Sequence, residues 1–222
     1  MMTTLLQTEV AEAATATLSL FDLAVQGGWI MIVLGVLSLV AVYIFFERWV
    51  AIKNAAKIDV NFMNNIKDSI HDNKIKSAIS LCQRNNSPVA RMIEKGVERI
   101  GRPLNDIQAS VENVGSLEVA RLEKGMPILA SIAGGAPMIG FLGTVIGLVQ
   151  AFYNMSKAGN SIQISDLSAG IYVAMVTTIG GLIVGIFAYF AYNYLVTRIN
   201  HVVYSMESKT IEFMDLLNEP IN

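Results

Sequence analysis

Charge is what this sequence has least of. Of its 222 residues only 15% are Asp, Glu, Lys or Arg, while 53% are hydrophobic, which is too little charge to cover the surface of a soluble domain. The shortage is also uneven. No charged residue stands between Asp22 and Glu47, between Lys124 and Lys157, or between Asp166 and Arg198. Other scarcities exclude chemistry. Cys82 is the one cysteine, so no disulfide forms within the chain, and a small packed thiol is its ordinary reading. His71 and His201 have no Cys, His or carboxylate at metal-ligand spacing, so neither a metal nor a cofactor is expected. The net charge is -2 and the basic residues form no stripe, which leaves nucleic acid out as a partner. Nothing in the chain reads as a soluble enzyme domain.

What is present is three long apolar runs. A helix rises about 1.5 Å per residue, so roughly 20 apolar residues cross a hydrocarbon core, and each uncharged gap is long enough. The first span is expected at 29–46. The segment before it is too polar and acidic to begin a signal peptide and is expected to stay in the mature protein. The second and third gaps exceed one crossing, which points to helices that continue beyond the bilayer. Residues 1–28 hold no Lys or Arg, whereas Glu47 to Lys124 holds most of the basic residues; the amino terminus is therefore expected outside. The layout that follows is an outer segment at 1–28, a span at 29–46, a cytoplasmic helical segment at 47–124, a span at 125–153, an outer loop at 154–166, a span at 167–197 and a cytoplasmic helical tail at 198–222.

The cytoplasmic segment has apolar residues at helical spacing over Asp59–Gln83 (Ile66, Ile70, Ile75, Ile79) and Ser87–Ile100 (Val89, Ile93, Val97, Ile100), punctuated by "NNSP" and "GRP". After Pro103 the helical pattern runs on toward the second span, predicting a helix that enters the membrane without a loop. Val202, Met206, Ile211, Met214 and Leu217 repeat the device after the third span. The expected fold is an all-α membrane protein with three transmembrane helices and long cytoplasmic helical extensions.

Small residues recur along one face of each later span. Ala133, Ala136, Gly140, Gly143, Gly147 and Ala151 follow at steps of three or four, as do Gly170, Ala174, Thr177, Gly181, Gly185 and Ala188. In lipid, helices associate by close backbone approach over such residues, so Gly140, Gly143, Gly147, Gly181 and Gly185 are candidate packing positions. Thr144 and Thr178 lie one residue beyond their stripes, turned about 100° from them. Thr144 is eight residues from Phe152 and Thr178 eleven from Leu167, so both sit at about one depth. Two readings stay open: hydroxyls that meet each other, or hydroxyls that each bond a carbonyl one turn back. The span interiors hold no Asp, Glu, Lys, Arg or His, and a threonine carries no proton charge near neutral pH. If this chain handles protons, the titrating carboxylate comes from elsewhere.

"APMIGFLGTVIGLVQAF" (136–152) and "GIYVAMVTTIGGLIVGIFAYFAYN" (170–193) resemble the MotA/TolQ/ExbB proton channel family, and are most similar to its ExbB and TolQ branch. The pattern is carried by Pro137, Gly140, Leu142, Gly143, Thr144, Val145 and Gly147, then by Gly170, Ile171, Ala174, Thr178, Gly181 and Asn193. "GGWIMIVLGVLSLVAVYIFFERW" looks like the family's first helix.

The resemblance implies a bacterial inner-membrane motor subunit with a periplasmic amino terminus and a cytoplasmic carboxyl terminus, assembled as a ring, a homo-pentamer. The ring would surround ExbD- or TolR-like single-span helices that supply an intramembrane Asp, and would energise a TonB- or TolA-like protein. Thr144 and Thr178 would line the proton pathway, with Thr177 as a secondary polar position. The chain departs from the pattern where Val173 replaces a glutamate and Phe187 replaces a proline, which puts a glutamate-based path in doubt and suggests a straighter third helix. A TolQ-like role in envelope constriction, another stator of the family, and a passive scaffold ring are the competing readings. A secondary transporter would carry ionisable groups within its spans or broken repeats, and neither is evident.

Overall fold

Seven helices account for nearly all of the backbone described by a computed structural model, which covers residues 27–57, 59, 61–158 and 164–218. Nearly all of the expected amino-terminal segment, the middle of the outer loop and the last four residues of the tail lie outside the described residues. The helices are α1 (Gly28–Ala55), α2 (Phe62–His71), α3 (Ile75–Arg84), α4 (Pro88–Val97), α5 (Leu104–Leu122), α6 (Met126–Ala158) and α7 (Ile164–Asn218). Three stretches, in α1, α6 and α7, are long and apolar enough to cross a membrane.

Two features differ from the sequence-based expectation. The stretch Asp59–Gln83 is two helices, because the chain turns at Asp72–Lys74 with Asn73 at φ 60°. Asparagine tolerates that left-handed conformation better than most residues, and it stops the helix. The helix after Pro103 also does not run unbroken into the second span. It ends at Leu122, and α6 starts at Met126 after Gly125 at φ 83°, a conformation that costs glycine little. Pro127 sits in the first turn of α6, where its missing N–H costs nothing. By contrast α7 continues without interruption for 55 residues, through Phe187, where no proline interrupts it.

The residues divide into two compact units. One, the apolar unit, comprises residues 27–39 and Ile132–Phe187; the other, the polar unit, comprises Val40–Ser131 and Ala188–Asn222.

The polar unit has a conventional side-chain core. Phe62, Met63 and Ile66 of α2, Ala78 and Cys82 of α3, Val89, Ile93 and Val97 of α4, Ile107 and Val111 of α5, and Val202, Met206 and Phe213 of α7 are all buried. α4 is the centre of this arrangement. Ser87 caps it by accepting a hydrogen bond from the Ala90 N–H at 3.2 Å, and Pro88 presets its first turn. A β-carbon added to Gly96 would stand 2.4 Å from Cε1 of Phe213, so glycine there lets the Phe213 ring lie against α4. Glu118 is 3% exposed and accepts from both Arg91 and Arg121 at 2.5 Å, while Arg48 donates to the Arg121 carbonyl at 3.0 Å. A buried carboxylate needs such partners to stay charged. Arg48 also pairs with Glu47 and holds its carboxyl below the usual carboxylate range.

Candidate functional site

In the apolar unit α6 and α7 run antiparallel over their small residues. A β-carbon added to Gly185 would meet Pro137 at 2.5 Å; one on Gly181 would meet the Ala136 carbonyl at 2.6 Å and the Gly140 Cα at 2.8 Å. Further along, an added β-carbon would meet the Thr177 carbonyl oxygen at 2.8 Å from Gly140, the Thr177 hydroxyl at 2.5 Å from Gly143, the Ala174 Cβ at 2.8 Å from Gly147, and the Ala151 Cβ at 2.7 Å from Gly170. The pairs fall in a single antiparallel register, and all five glycines named from the sequence take part. The backbones approach so closely that any side chain at Gly140 or Gly181 would displace main-chain atoms.

α1 joins the unit through Ile30, Met31 and Leu34. Ile30 lies 3.2 Å from where a Gly143 β-carbon would be, and Met31 lies 2.9 Å from that of Gly180. Gly180 lies outside the stripe of small residues on α7. Its signal was the doublet "GG" at 180–181, in which the second glycine serves α6 and the first serves α1.

The same register sets the hydroxyls. Thr144 Oγ1 and Thr178 Oγ1 are in direct hydrogen-bond contact across the two helices. Thr144 Oγ1 is also 3.3 Å from the Gly140 and Ala174 carbonyl oxygens, and Thr178 Oγ1 is 3.2 Å from the Gly140 oxygen. The hydroxyls therefore meet, and Thr144 also has the carbonyl one turn back at Gly140 within reach, whereas the carbonyl within reach of Thr178 belongs to Gly140 on the facing helix. Each hydroxyl carries one proton to donate. With Thr144 donating to Thr178, Thr178 donates to Gly140; with Thr178 donating to Thr144, Thr144 donates to Gly140 or Ala174. The pair thus has two orientations of comparable connectivity, and neither needs a charge.

Thr177 sits differently. It is 2% exposed, its hydroxyl donates to the Ala174 carbonyl at 2.7 Å, and it packs on Gly143. That position belongs to the helix contact, whereas Thr144 and Thr178 each keep a partly exposed side. Six residues before Thr178, the Tyr172 Oη is buried without a hydrogen-bond partner. A tyrosine among apolar residues gave no signal by spacing.

Other candidates stand apart from this cluster. Cys82 is buried in the polar unit, and desolvation, aided by the nearby Glu94 charge, pushes its thiol up to about 12. Among the described residues no three His, Cys, Asp or Glu side chains are grouped to hold a metal ion.

Glycines bring the two helices together, threonines face each other across the contact, and the span interiors hold no Asp, Glu, Lys, Arg or His. The model of the MotA/TolQ/ExbB proton channel family matches residues 84–208, over half of the chain and including both threonines. The chain belongs to the MotA/TolQ/ExbB proton channel family. It is 33% identical over 117 residues to the biopolymer transport protein ExbB of Aquifex aeolicus, covering 51% of this chain and 75% of that protein. It is 27% identical over 186 residues to the ExbB-like 1 biopolymer transport protein of Synechocystis, covering 82% and 73%. It is 35% identical over 101 residues to the Tol-Pal system protein TolQ of Haemophilus influenzae, covering 46% and 44%. The match thus spans most of the first two relatives and less than half of TolQ, and it reaches both the ExbB and the TolQ side of the MotA/TolQ/ExbB family.

Proposed function

We propose that this protein is an ExbB-like subunit of an inner-membrane motor driven by the proton-motive force, which energises a TonB-type protein. The observation that carries the reading is the Thr144–Thr178 hydroxyl contact, which joins α6 and α7 in a unit whose apolar spans hold no Asp, Glu, Lys, Arg or His. Hydroxyls can pass a hydrogen-bond orientation along but cannot store the proton. The storing group is then an Asp on the single span of an ExbD- or TolR-like partner, placed beside the pair within a ring of copies of this chain, a pentamer. In that ring the amino terminus is periplasmic, and the polar unit and the tail are cytoplasmic.

Proton entry neutralises the partner's Asp, which then moves past an apolar wall at far lower cost than a carboxylate would. Exit on the other side restores the charge. Each proton crossing about 100 mV releases about 2.3 kcal/mol, so useful work needs several protons or a ring that moves with little friction. Because Val173 and Phe187 occupy positions where relatives of this type carry glutamate and proline, the pathway here depends on the threonines and the partner's Asp alone. The TolQ relative supports a second assignment of the same machine, in which it serves envelope constriction through a TolA-like protein.

The test is proton uptake into liposomes that hold this chain together with its single-span partner. Thr144→Val and Thr178→Val keep the shape of the side chain and remove its hydroxyl. Each is expected to lower partner-dependent flux about tenfold, equivalent to about 1.4 kcal/mol on the barrier. Full flux in both variants would remove the threonines from the pathway; no partner-dependent flux in the unmodified protein would favour a passive scaffold.

A further inference from the structure

Within the polar unit, α5 and the last third of α7 leave a groove of about 750 Å³ between them. Three methionines line it, with Met92 and Met206 buried in its floor and Met214 half-buried at its wall, and Ile211 stands at its edge 62% exposed. Its lining also carries four carboxylates, Glu112, Glu123, Glu207 and Asp215, and no lysine or arginine. Among the described residues Glu123, Glu207 and Asp215 form no ion pair, and Glu112 accepts only from the side-chain amide of Gln108. An apolar trough edged by unpaired charge of one sign repels its own rim until a cation arrives.

We propose that this groove docks a cationic amphipathic helix from another protein, with an apolar anchor on the methionines and Lys or Arg against the carboxylates. Methionine side chains are flexible and polarisable and adapt to anchors of different shape, which suits a helix-in-groove mode. The charged rim sets partner choice and association rate. The inference does not depend on the channel reading, since the groove lies wholly within the polar unit.

Binding of a fluorescent peptide of about 18 residues, with Lys and Leu at helical spacing, to the full chain in lipid nanodiscs tests it by anisotropy. Saturable binding is expected, weakened roughly tenfold or more by the double variant Glu207→Gln, Asp215→Gln and by raised salt. Ala120→Trp, which fills the groove, is expected to weaken it as much, while Asp68→Asn on α2 leaves it unchanged. Should the double variant lose helicity, Glu112→Gln with Glu123→Gln takes its place. Equal affinity in the groove variants and the unmodified chain overturns the proposal, as does equal binding of a peptide with Glu in place of Lys. Disulfide cross-linking between copies at Thr210→Cys whose formation the peptide does not block would give the groove to a second copy and overturn it too.

Discussion

A β-carbon added to Gly181 in the apolar unit would stand 2.6 Å from a main-chain carbonyl oxygen, whereas one added to Gly115 in the polar unit would meet the far end of Met92 at 2.9 Å. The distances are similar and the consequences are not. A methionine tip swings aside at little cost, but a helix backbone moves only with the whole helix. The apolar unit gains its stability by bringing main chains together where lipid supplies no hydrophobic drive. The polar unit gains it by burying Val, Ile, Met and Phe, with a cap on α4 and a buried carboxylate held by two arginines.

The largest effect should therefore come from the backbone contact. Gly181→Val is expected to cost about 3 kcal/mol or more, at the upper end of overpacking penalties, because neither the Ala136 carbonyl nor the Gly140 Cα can yield. Thermal unfolding of the purified chain in detergent, followed by circular dichroism, measures it. Gly134→Ala in the same helix pair is the control: nothing lies within 4 Å of the added carbon, and it should be neutral or stabilise by about 0.5–1 kcal/mol through helix propensity. If the two variants melt together, close packing does not hold this unit.

A smaller step sharpens the contrast inside the polar unit itself. Gly96→Ala would put a methyl 2.4 Å from the ring of fully buried Phe213 and 2.9 Å from Val111, and neither has free space to retreat into. A loss of about 1–3 kcal/mol is expected. Gly115→Ala meets only the Met92 end and should cost under about 1 kcal/mol by the same melting measurement. Equal losses at Gly96 and Gly115 would mean that side-chain flexibility does not decide tolerance here.

Much of this was legible in the residue pattern because lipid narrows the options. Only a helix satisfies its own backbone in hydrocarbon, so uncharged runs predict helices, and small residues at steps of three or four can only mark a close face. The depth match of Thr144 and Thr178 followed from counting residues. Less legible were the breaks at Asn73 and Gly125, since helical periodicity passes through a single left-handed residue without a visible phase change. The groove with its four carboxylates was not legible at all. Glu112 and Asp215 lie far apart in the chain, and only the approach of α5 to α7 makes them neighbours.

The effect that is smallest at neutral pH, and grows only in alkali, is an electrostatic one and again separates burial from exposure. Cys82 is 1% exposed, and desolvation raises its thiol to about 12, against about 8.5 for an unfolded chain. The folded state therefore keeps the thiol proton where the unfolded state has lost it. Stability from this group is fully present below about pH 8.5 and declines between there and about pH 12, by at most about 1.4 kcal/mol per pH unit. Comparing the pH dependence of unfolding in the unmodified chain with that of Cys82→Ala isolates the contribution, since other groups titrating in that range are common to both. The expected difference is a steeper decline above pH 9 in the unmodified chain, together with negligible maleimide labelling of folded Cys82 at pH 7.5, where the buried group is a neutral thiol rather than the reactive thiolate. Parallel profiles, or rapid labelling without unfolding, would show that water reaches α3 and that the polar unit is less tightly closed than its side-chain packing requires.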